Sequence, residues 1–277
     1  MDRYLIVNAD DYGRTPGVSR GIRAAHLRGI VTSTTVMMNM PGVEDALLQA
    51  TRECPNLGLG AHLVLTAGVP VLPASDVPSL TDGNAGFPGL AEQTQRLSRL
   101  DPGELKAEWG AQIARFVAMT GRLPDHLDSH HHFAYFSEPI FRAMLELAAV
   151  YGCAIRLPRP APDGALTGLS AGLASQIKEF LPRLMSEFAP RCPDRFEATF
   201  YDGQATKAVL LRLLADLPEG VTELMCHPGY ADAELLAGSS YNQQREGELA
   251  ILTDPAVVAL VDERGIQLFT FQGIRSA

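Results

Sequence analysis

The chain has 277 residues, of which 46% are hydrophobic and 20% charged, and its formal net charge is -9. This composition is that of a folded globular protein and excludes a disordered chain. The acidic balance, with no cluster of Lys and Arg to interrupt it, argues against nucleic acid as a partner. Because neither a secretion signal nor an apolar run of about 20 residues is recognised, we predict a cytoplasmic protein without a membrane span.

The four cysteines show neither paired metal-ligand spacing nor the density of a disulfide scaffold. They are therefore predicted to be reduced and mostly buried thiols. One core of about 250 residues is routine for barrel-type domains, so residues 1–277 are predicted to form a single domain.

Eight apolar, β-branched segments predict strands, and helix-length segments separate most of them. The predicted strands are residues 4–7, 32–38, 57–65, 126–128, 154–157, 196–200, 221–226 and 266–271. Asp101 with Pro102 predicts the start of a helix whose apolar positions recur at helical spacing until Gly121. Further helices are predicted to begin at Ser137 and at Asp254.

Alternating strands and helices predict a parallel sheet with right-handed crossovers, either an open doubly wound sheet or a closed barrel. No Gly-x-Gly-x-x-Gly follows the first strand, and polar motifs end several different strands. Both features favour an α/β fold of one distorted, TIM-barrel-like (β/α) barrel with seven or eight strands, in which all such loops converge on one face. Two long loop excursions are expected at residues 66–100 and 158–172, and loops of such length usually cover a site or bind something.

Asp10 and Asp11 come directly after the first predicted strand, and His62 and His130 lie at the ends of two others. One carboxylate and two imidazoles from three strand ends can hold a divalent ion while leaving positions open for water and substrate. We therefore predict Asp11, His62 and His130 as ligands of a divalent metal ion, Mg²⁺ or Zn²⁺, because the ligand types do not fix the ion.

The remaining polar residues receive roles around this site. Asp10 is predicted to act as general base, and His227, held in a turn before Pro228, as general acid. Four side chains are expected to contact substrate: His132, Arg156, Arg159 and Asn39. As an alternative, Arg156 and Arg159 could orient Asp10. The chain from His130 to His132 is expected to be extended, so that His132 points to the same side as His130 and His131 faces away from the site.

Five motifs in this order resemble those of the YdjC-type carbohydrate deacetylase family, which includes chitooligosaccharide deacetylases. The matching pieces are Asn8-Ala9-Asp10-Asp11-Tyr12-Gly13, His62-Leu63-Val64-Leu65-Thr66, Asp128-Ser129-His130-His131-His132, Arg156-Leu157-Pro158-Arg159 and His227-Pro228-Gly229-Tyr230. The resemblance implies a barrel-like α/β fold and removal of N-acetyl groups from amino sugars with a divalent ion, often magnesium. It also implies the ligand, base and acid roles given above.

The chain departs from the family pattern at two positions, where the family often has a histidine and an acid: Ala134 and Pro160. Both departures are expected to bear on substrate identity more than on metal binding.

The predicted activity is hydrolysis of the N-acetyl amide of an amino sugar or short oligosaccharide, with release of acetate. Two alternatives stay open at this point. One is a metal-dependent phosphoesterase or sugar isomerase on a similar barrel, and the other is a non-catalytic sugar-binding or metal-binding protein. Neither the length nor the phosphorylation of the sugar follows from the residues, and a homodimer is possible.

Overall fold

A computed structural model gives the fold and describes residues 2–158 and 171–274. Within them the eight predicted strands are all present and all parallel, and several are shorter than predicted. The strands are β1 Arg3–Tyr12, β2 Ser33–Val36, β3 Gly58–Leu63, β4 His126–Ser129, β5 Ala154–Ile155, β6 Arg195–Glu197, β7 Gly220–Cys226 and β8 Ile266–Leu268.

The strands form one sheet in the order β5-β4-β3-β2-β1-β7-β6. Strand β1 pairs with three other strands. One edge of β1 pairs with β7 from Arg3 to Ala9. Two strands share the other edge: β8 pairs with residues 3–5, and β2 pairs from Asn8 onward.

Side chains from distant strands meet inside the sheet, which shows that it curls into a barrel. Ile6 of β1 packs with Ala154 of β5, although three strands separate them in the sheet. At the edge of the sheet, the Ile155 N–H of β5 donates to the carbonyl of Arg191, which precedes the other end strand β6, at 2.8 Å. The predicted distorted (β/α) barrel is thereby confirmed.

Ten helices are described, and most of them connect successive strands. They are α1 Pro16–Arg28, α2 Val43–Glu53, α3 Leu90–Gln95, α4 Pro102–Thr120, α5 Glu138–Tyr151, α6 Ala171–Phe188, α7 Lys207–Ala215, α8 Ala233–Gly238, α9 Gln243–Leu252 and α10 Pro255–Glu263. The predicted helix starts are confirmed, as in α4, where the Asp101 carboxylate accepts hydrogen bonds from the first free N–H groups. Gly121 ends α4 in the left-handed conformation with φ 69°.

The helices cover the outer face of the sheet and bury two large apolar clusters against it. One cluster joins β1, β2 and β7 to helices that include α1, α2, α9 and α10. The other joins β3, β4 and β5 to α4, α5 and α6 and includes the fully buried Trp109. Three of the four cysteines are buried, as predicted.

The segment 66–100 is more ordered than the predicted irregular loop, because it contains α3 and is tied to buried side chains. The carboxylate of Glu108 on α4 accepts hydrogen bonds from the N–H groups of Val71 and Leu72 at 2.9 and 3.0 Å. Gln93 is completely buried and donates to the carbonyls of Leu65 and Leu80. These hydrogen bonds hold the segment against α4 and the residues that follow β3.

The predictions for Arg159 and Pro160, and most of the excursion 158–172, lie outside the described residues. Among the helices that are described, none combines the length and apolar character that crossing a bilayer demands.

Candidate active site

A cavity of about 290 Å³ lies at the C-terminal ends of the strands. Its wall includes most of the predicted site residues together with several that were not predicted. The lining residues named below are Asp10, Asp11, Arg14, His62, Leu90, His130, His131, His132, Tyr201, His227, Ser240, Tyr241 and Arg245.

Two adjacent carboxylates reach this cavity because β1 is irregular at its end. Neighbouring side chains of a regular strand point to opposite faces. Here the pairing of β1 with β2 shifts register between Ala9 and Tyr12, and Asp11 has φ 74°. Such a bulge redirects side chains, so that Asp10 and Asp11 both line the cavity. Gly13 follows with φ 89°, where a Cβ atom would lie 2.8 Å from Val43 Cγ2.

Asp11, His62 and His130, which we call the Asp11 cluster, lie together as predicted. Asp11 Oδ1 is 3.3 Å from His62 Nε2 and 3.0 Å from His130 Nδ1. One potential ligand atom from each side chain lies within 4.8 Å of the others. Asp11 Oδ2 is bound by the Arg245 guanidinium, and the second ring nitrogen of His130 lies 3.3 Å from Arg14 Nη1.

The atoms of the Asp11 cluster fit a cation. Asp11 Oδ1 is buried yet has no hydrogen-bond partner among the described residues, although two ring nitrogens are close to it. His62 directs Nδ1 at the Asp128 carboxylate, 2.6 Å away. A carboxylate on the far nitrogen is the arrangement that orients a metal-binding histidine and makes it more basic. The donor set of one oxygen and two nitrogens therefore suits a divalent ion.

Burial and neighbouring charges shift the titration of the Asp11 cluster. Burial alone would raise the pKa of Asp11, but Arg245 and His130 outweigh it and hold the pKa well below its ordinary value. Burial lowers the pKa of His130. For His62, burial is outweighed by the Asp128 and Asp11 carboxylates, and the pKa rises to about 10. Because a histidine must be neutral to bind a metal, cation binding at His62 is coupled to release of a proton.

A second charged group, which we call the Arg156 cluster, lies beneath the first. Arg156 is fully buried, and its guanidinium binds both oxygens of Asp10 at 2.7 Å each. It also contacts Asp128 at 3.0 Å and Glu223 at 2.6 Å. Arg156 was predicted either to contact substrate or to orient Asp10, and its contacts fit the second role. The guanidinium nitrogens each bind a carboxylate, and one face of the group lies 5.0 Å from the centroid of the Phe196 ring.

The Arg156 cluster has its own effect on protonation. Burial would raise the pKa of Asp10, but Arg156 outweighs burial and lowers the pKa far below its ordinary value. Burial raises the pKa of Glu223 to about 7, with Arg156 opposing the rise in part. Asp10, His62 and Asp128 also have potential ligand atoms within 4.8 Å of one another. The positive charge of Arg156 already occupies this position, so a cation is not expected there.

His227 faces Asp10 from the end of β7. Its Nε2 lies 3.8 Å from Asp10 Oδ2, and its side chain is 13% exposed. Its backbone N–H donates to Glu248 of α9, which fixes the turn before Pro228. Burial lowers the pKa of His227 to about 4, although Asp10 opposes this. The imidazole is therefore neutral at neutral pH before any substrate arrives.

The two histidines after His130 differ from the prediction of an extended chain. Residues His130–Phe136 form a 3-10 segment in which His131 and His132 both have φ 56°. His131 does not face away: it lines the cavity, and its Nδ1 is 2.9 Å from the Thr66 hydroxyl. His132 also lines the cavity, where its ring packs edge-on against Phe196.

One further expectation differs from the geometry. Asn39 was predicted to contact substrate, but its amide donates to the carbonyls of Ala67 and Val69 and holds the start of the segment 66–100. Ala134, one of the two departures from the family pattern, is completely buried in the apolar cluster against α5. Neither residue lines the cavity.

Several side chains of the site were not predicted from the sequence. Asp128 stood inside a recognised motif and could have been assigned as the partner of His62. The others do not belong to any of the recognised motifs. They come from β7, α9 and the residues just before α9, and they are Glu223, Arg245, Glu248 and Tyr241. For Glu223 the available signal was an acidic residue inside an apolar strand, because a charge that is buried there needs a partner of opposite charge.

Comparisons with known proteins show what the chain is similar to. The chain is 40% identical over 273 residues to a carbohydrate deacetylase of Geobacillus stearothermophilus, an alignment that covers 98% of both chains. It is 38% identical over 280 residues to a chitooligosaccharide deacetylase of Salmonella paratyphi B, which covers 99% of this chain and all of that one.

Solved structures share the fold. A protein from Enterococcus faecalis V583 named for cellobiose-phosphate cleavage superposes with a TM-score of 0.86 at 34% identity, covering 98% of each chain. A family 4 carbohydrate esterase from Streptomyces lividans, solved with acetate, reaches a TM-score of 0.53 at 9% identity over 99% and 97% of the two chains, a likeness of fold alone. Residues 4–263 match the family described as YdjC-like protein, and the chain therefore belongs to that family.

Proposed function

We propose that this protein is a metal-dependent carbohydrate deacetylase, which hydrolyses the N-acetyl amide of an amino sugar and releases acetate. The observation that carries the proposal is the buried Asp11 Oδ1, which lies 3.3 Å from a ring nitrogen of His62 and 3.0 Å from one of His130, in the same cavity as the Asp10 and His227 pair. Relatives at 38 and 40% identity that are named deacetylases support the choice of reaction.

Asp11, His62 and His130 would hold the cation. When bound there, a divalent ion supplies polarisation of the acyl oxygen and a lower pKa for water. Two imidazole nitrogens among three ligands favour Zn²⁺ over Mg²⁺, since Mg²⁺ prefers oxygen ligands in an octahedral site. Asp128 supports this set by orienting His62.

Asp10 is proposed as the base. Water adds to the acetyl carbon while Asp10 accepts its proton, and the C–N bond then breaks to give acetate and the amine. Because Arg156 lowers the pKa of Asp10, the carboxylate is ionised and oriented at neutral pH but holds a proton only weakly.

His227 is proposed as the acid that protonates the leaving nitrogen. Burial makes it neutral beforehand, so it must gain its proton during turnover. The nearest source is Asp10, whose Oδ2 lies 3.8 Å from His227 Nε2. A proton that leaves water can therefore pass through Asp10 and His227 to the amine.

The test is direct measurement of acetate from a panel of N-acetylated mono- and oligosaccharides. The protein is first stripped with a chelator and then reconstituted with Zn²⁺ or Mg²⁺. We expect acetate release to return with the metal and to return more with Zn²⁺. Release of phosphate from a phosphorylated sugar, or isomerisation of the sugar without acetate, would contradict the proposal and favour the alternative enzymes.

The roles of Asp10 and His227 are tested by Asp10→Asn and His227→Gln. Acid–base groups typically contribute about 10² to 10⁴ in rate, so each variant should lose that much acetate release and keep its bound metal. Full activity of Asp10→Asn would show that the base is another group.

A further inference from the structure

One aromatic pair at the cavity has no role in the chemistry above. The rings of Tyr201 and Tyr241 are stacked, with centroids 4.6 Å apart and planes within 12°. Tyr241 is the inner member, because Arg245 lies over its ring at 5.6 Å. Tyr201 is the outer member, and 42% of it is exposed although it lines the cavity.

This pair is held rigidly. The Tyr241 hydroxyl donates to Glu248 and accepts a hydrogen bond of 3.1 Å from the backbone N–H of Asp202, the residue after Tyr201. The same Glu248 carboxylate accepts from the His227 N–H. A single buried carboxylate therefore fixes both the aromatic pair and His227, and a rigid aromatic face loses little conformational entropy when it binds a ligand.

The pair also lies on a definite side of the reaction site. The His227 ring is edge-on to both tyrosines, at 5.3 Å from Tyr201 and 5.6 Å from Tyr241. If His227 protonates the leaving nitrogen, the sugar that carries this nitrogen must lie against His227. The chain of the substrate then continues past His227 toward solvent, where Tyr201 is exposed.

We propose that the exposed ring of Tyr201 is a binding subsite for a second pyranose ring, the one joined to the sugar that loses its acetyl group. This inference rests on the proposed function. The C–H face of a pyranose is apolar and matches an aromatic face. Ser240, which precedes Tyr241 in the chain and also lines the cavity, offers a hydroxyl to the hydroxyls of the sugar. The protein accordingly prefers an N-acetylated oligosaccharide of at least two rings over the monosaccharide.

The test compares N-acetylglucosamine with di-N-acetylchitobiose as substrates for the metal-loaded enzyme. Wild type should show the higher kcat/KM on the disaccharide. Tyr201→Ala should lower the disaccharide kcat/KM by roughly 3- to 10-fold, mostly through KM, the range expected for loss of an aromatic contact. The monosaccharide value should stay within about twofold, because the second ring is absent from that substrate.

Two further variants serve as controls. Tyr201→Phe keeps the ring and should keep the preference for the disaccharide. Tyr4→Ala removes a tyrosine that packs against Phe269 at the start of β1, away from the cavity, and should leave both substrates unaffected.

The outcomes separate the two proposals. Absence of acetate from both sugars with wild type refutes the proposed function. An active wild type whose Tyr201→Ala variant keeps the full preference refutes the subsite. An equal loss on both sugars also refutes it, since Tyr201 would then contact the reacting ring.

Discussion

The Asp11 cluster and the Arg156 cluster are neighbours, both buried and both charged, but they differ in how their charges are paired. The guanidinium nitrogens of Arg156 each bind a carboxylate, so this cluster is closed around its own cation. In the Asp11 cluster Asp11 Oδ1 lies close to two ring nitrogens, and all three residues line the cavity, whereas Arg156, Asp128 and Glu223 are not among its lining residues. Metal-ligand side chains grouped at a cavity identify the position where a bound ion completes the set.

The largest effect on activity is expected from removing the negative charge of the Asp11 cluster. Asp11→Asn removes the one anionic ligand, so the protein should lose its bound metal and at least about 10³-fold of acetate release. Metal content and acetate release are measured on the same sample. Glu108→Gln is the matched control, because it changes a buried carboxylate that binds backbone N–H groups and the Gln112 amide outside the cavity. A fully active Asp11→Asn would refute the ligand assignment.

The largest effect on stability is expected from opening the Arg156 cluster. Arg156→Met leaves buried carboxylates without their cation, and losing one partner of such a group costs about 3 to 5 kcal/mol in the free energy of unfolding. Chemical denaturation measures this loss. Arg142→Met is the control, since it breaks a two-pronged pair with Glu187 on the surface and should change stability far less. Equal losses in both variants would contradict the contrast between a buried and an exposed pair.

A smaller effect is expected where the two clusters touch. Asp128 contacts both His62 and Arg156, and Asp128→Asn keeps the shape but removes the charge that orients His62. Metal affinity should fall by about 10- to 100-fold, the usual cost of losing such a partner. Competition with a metal-binding dye measures the affinity. Unchanged affinity would mean that His62 is oriented by other contacts.

The smallest effect concerns the pH dependence of stability. Burial raises the pKa of Glu223 from its ordinary 4.5 to about 7, so the folded protein holds this proton more tightly than the unfolded chain. The contribution of Glu223 to stability should therefore fall as the pH rises from about 5 to about 7 and level off above. In Glu223→Gln this part of the slope should disappear when the free energy of unfolding is measured across the range. An identical slope in both proteins would mean that Glu223 is ionised throughout.

The strand ends were predictable because their signals are local. Runs of apolar, β-branched residues marked all eight strands, and Asp101 and Gly121 marked the ends of α4 through capping that involves only their neighbours. Since parallel strands of a barrel end on one face, the grouping of Asp11, His62 and His130 also followed from the sequence. Their role as metal ligands is the proposal.

Most of the charge pairing was not predictable because it depends on contacts distant in the chain. Arg156 meets Glu223 across 67 residues, and Arg245 meets Asp11 across 234. The contact of Arg156 with Asp10, across 146 residues, was one of two alternatives predicted for this arginine. The left-handed backbone at His131 and His132 also escaped prediction, since such φ values are uncommon outside glycine. The extended chain assumed for these two residues was therefore wrong.

The central claim is that one cation is held between Asp11, His62 and His130. Crystals of the wild-type protein soaked in Zn²⁺ and measured at the zinc absorption edge test it most directly. We predict one strong anomalous peak in the cavity, about 2.0 to 2.2 Å from a carboxylate oxygen of Asp11 and a ring nitrogen of each histidine. A cavity without a peak, or a peak bound only by other residues, would contradict the account.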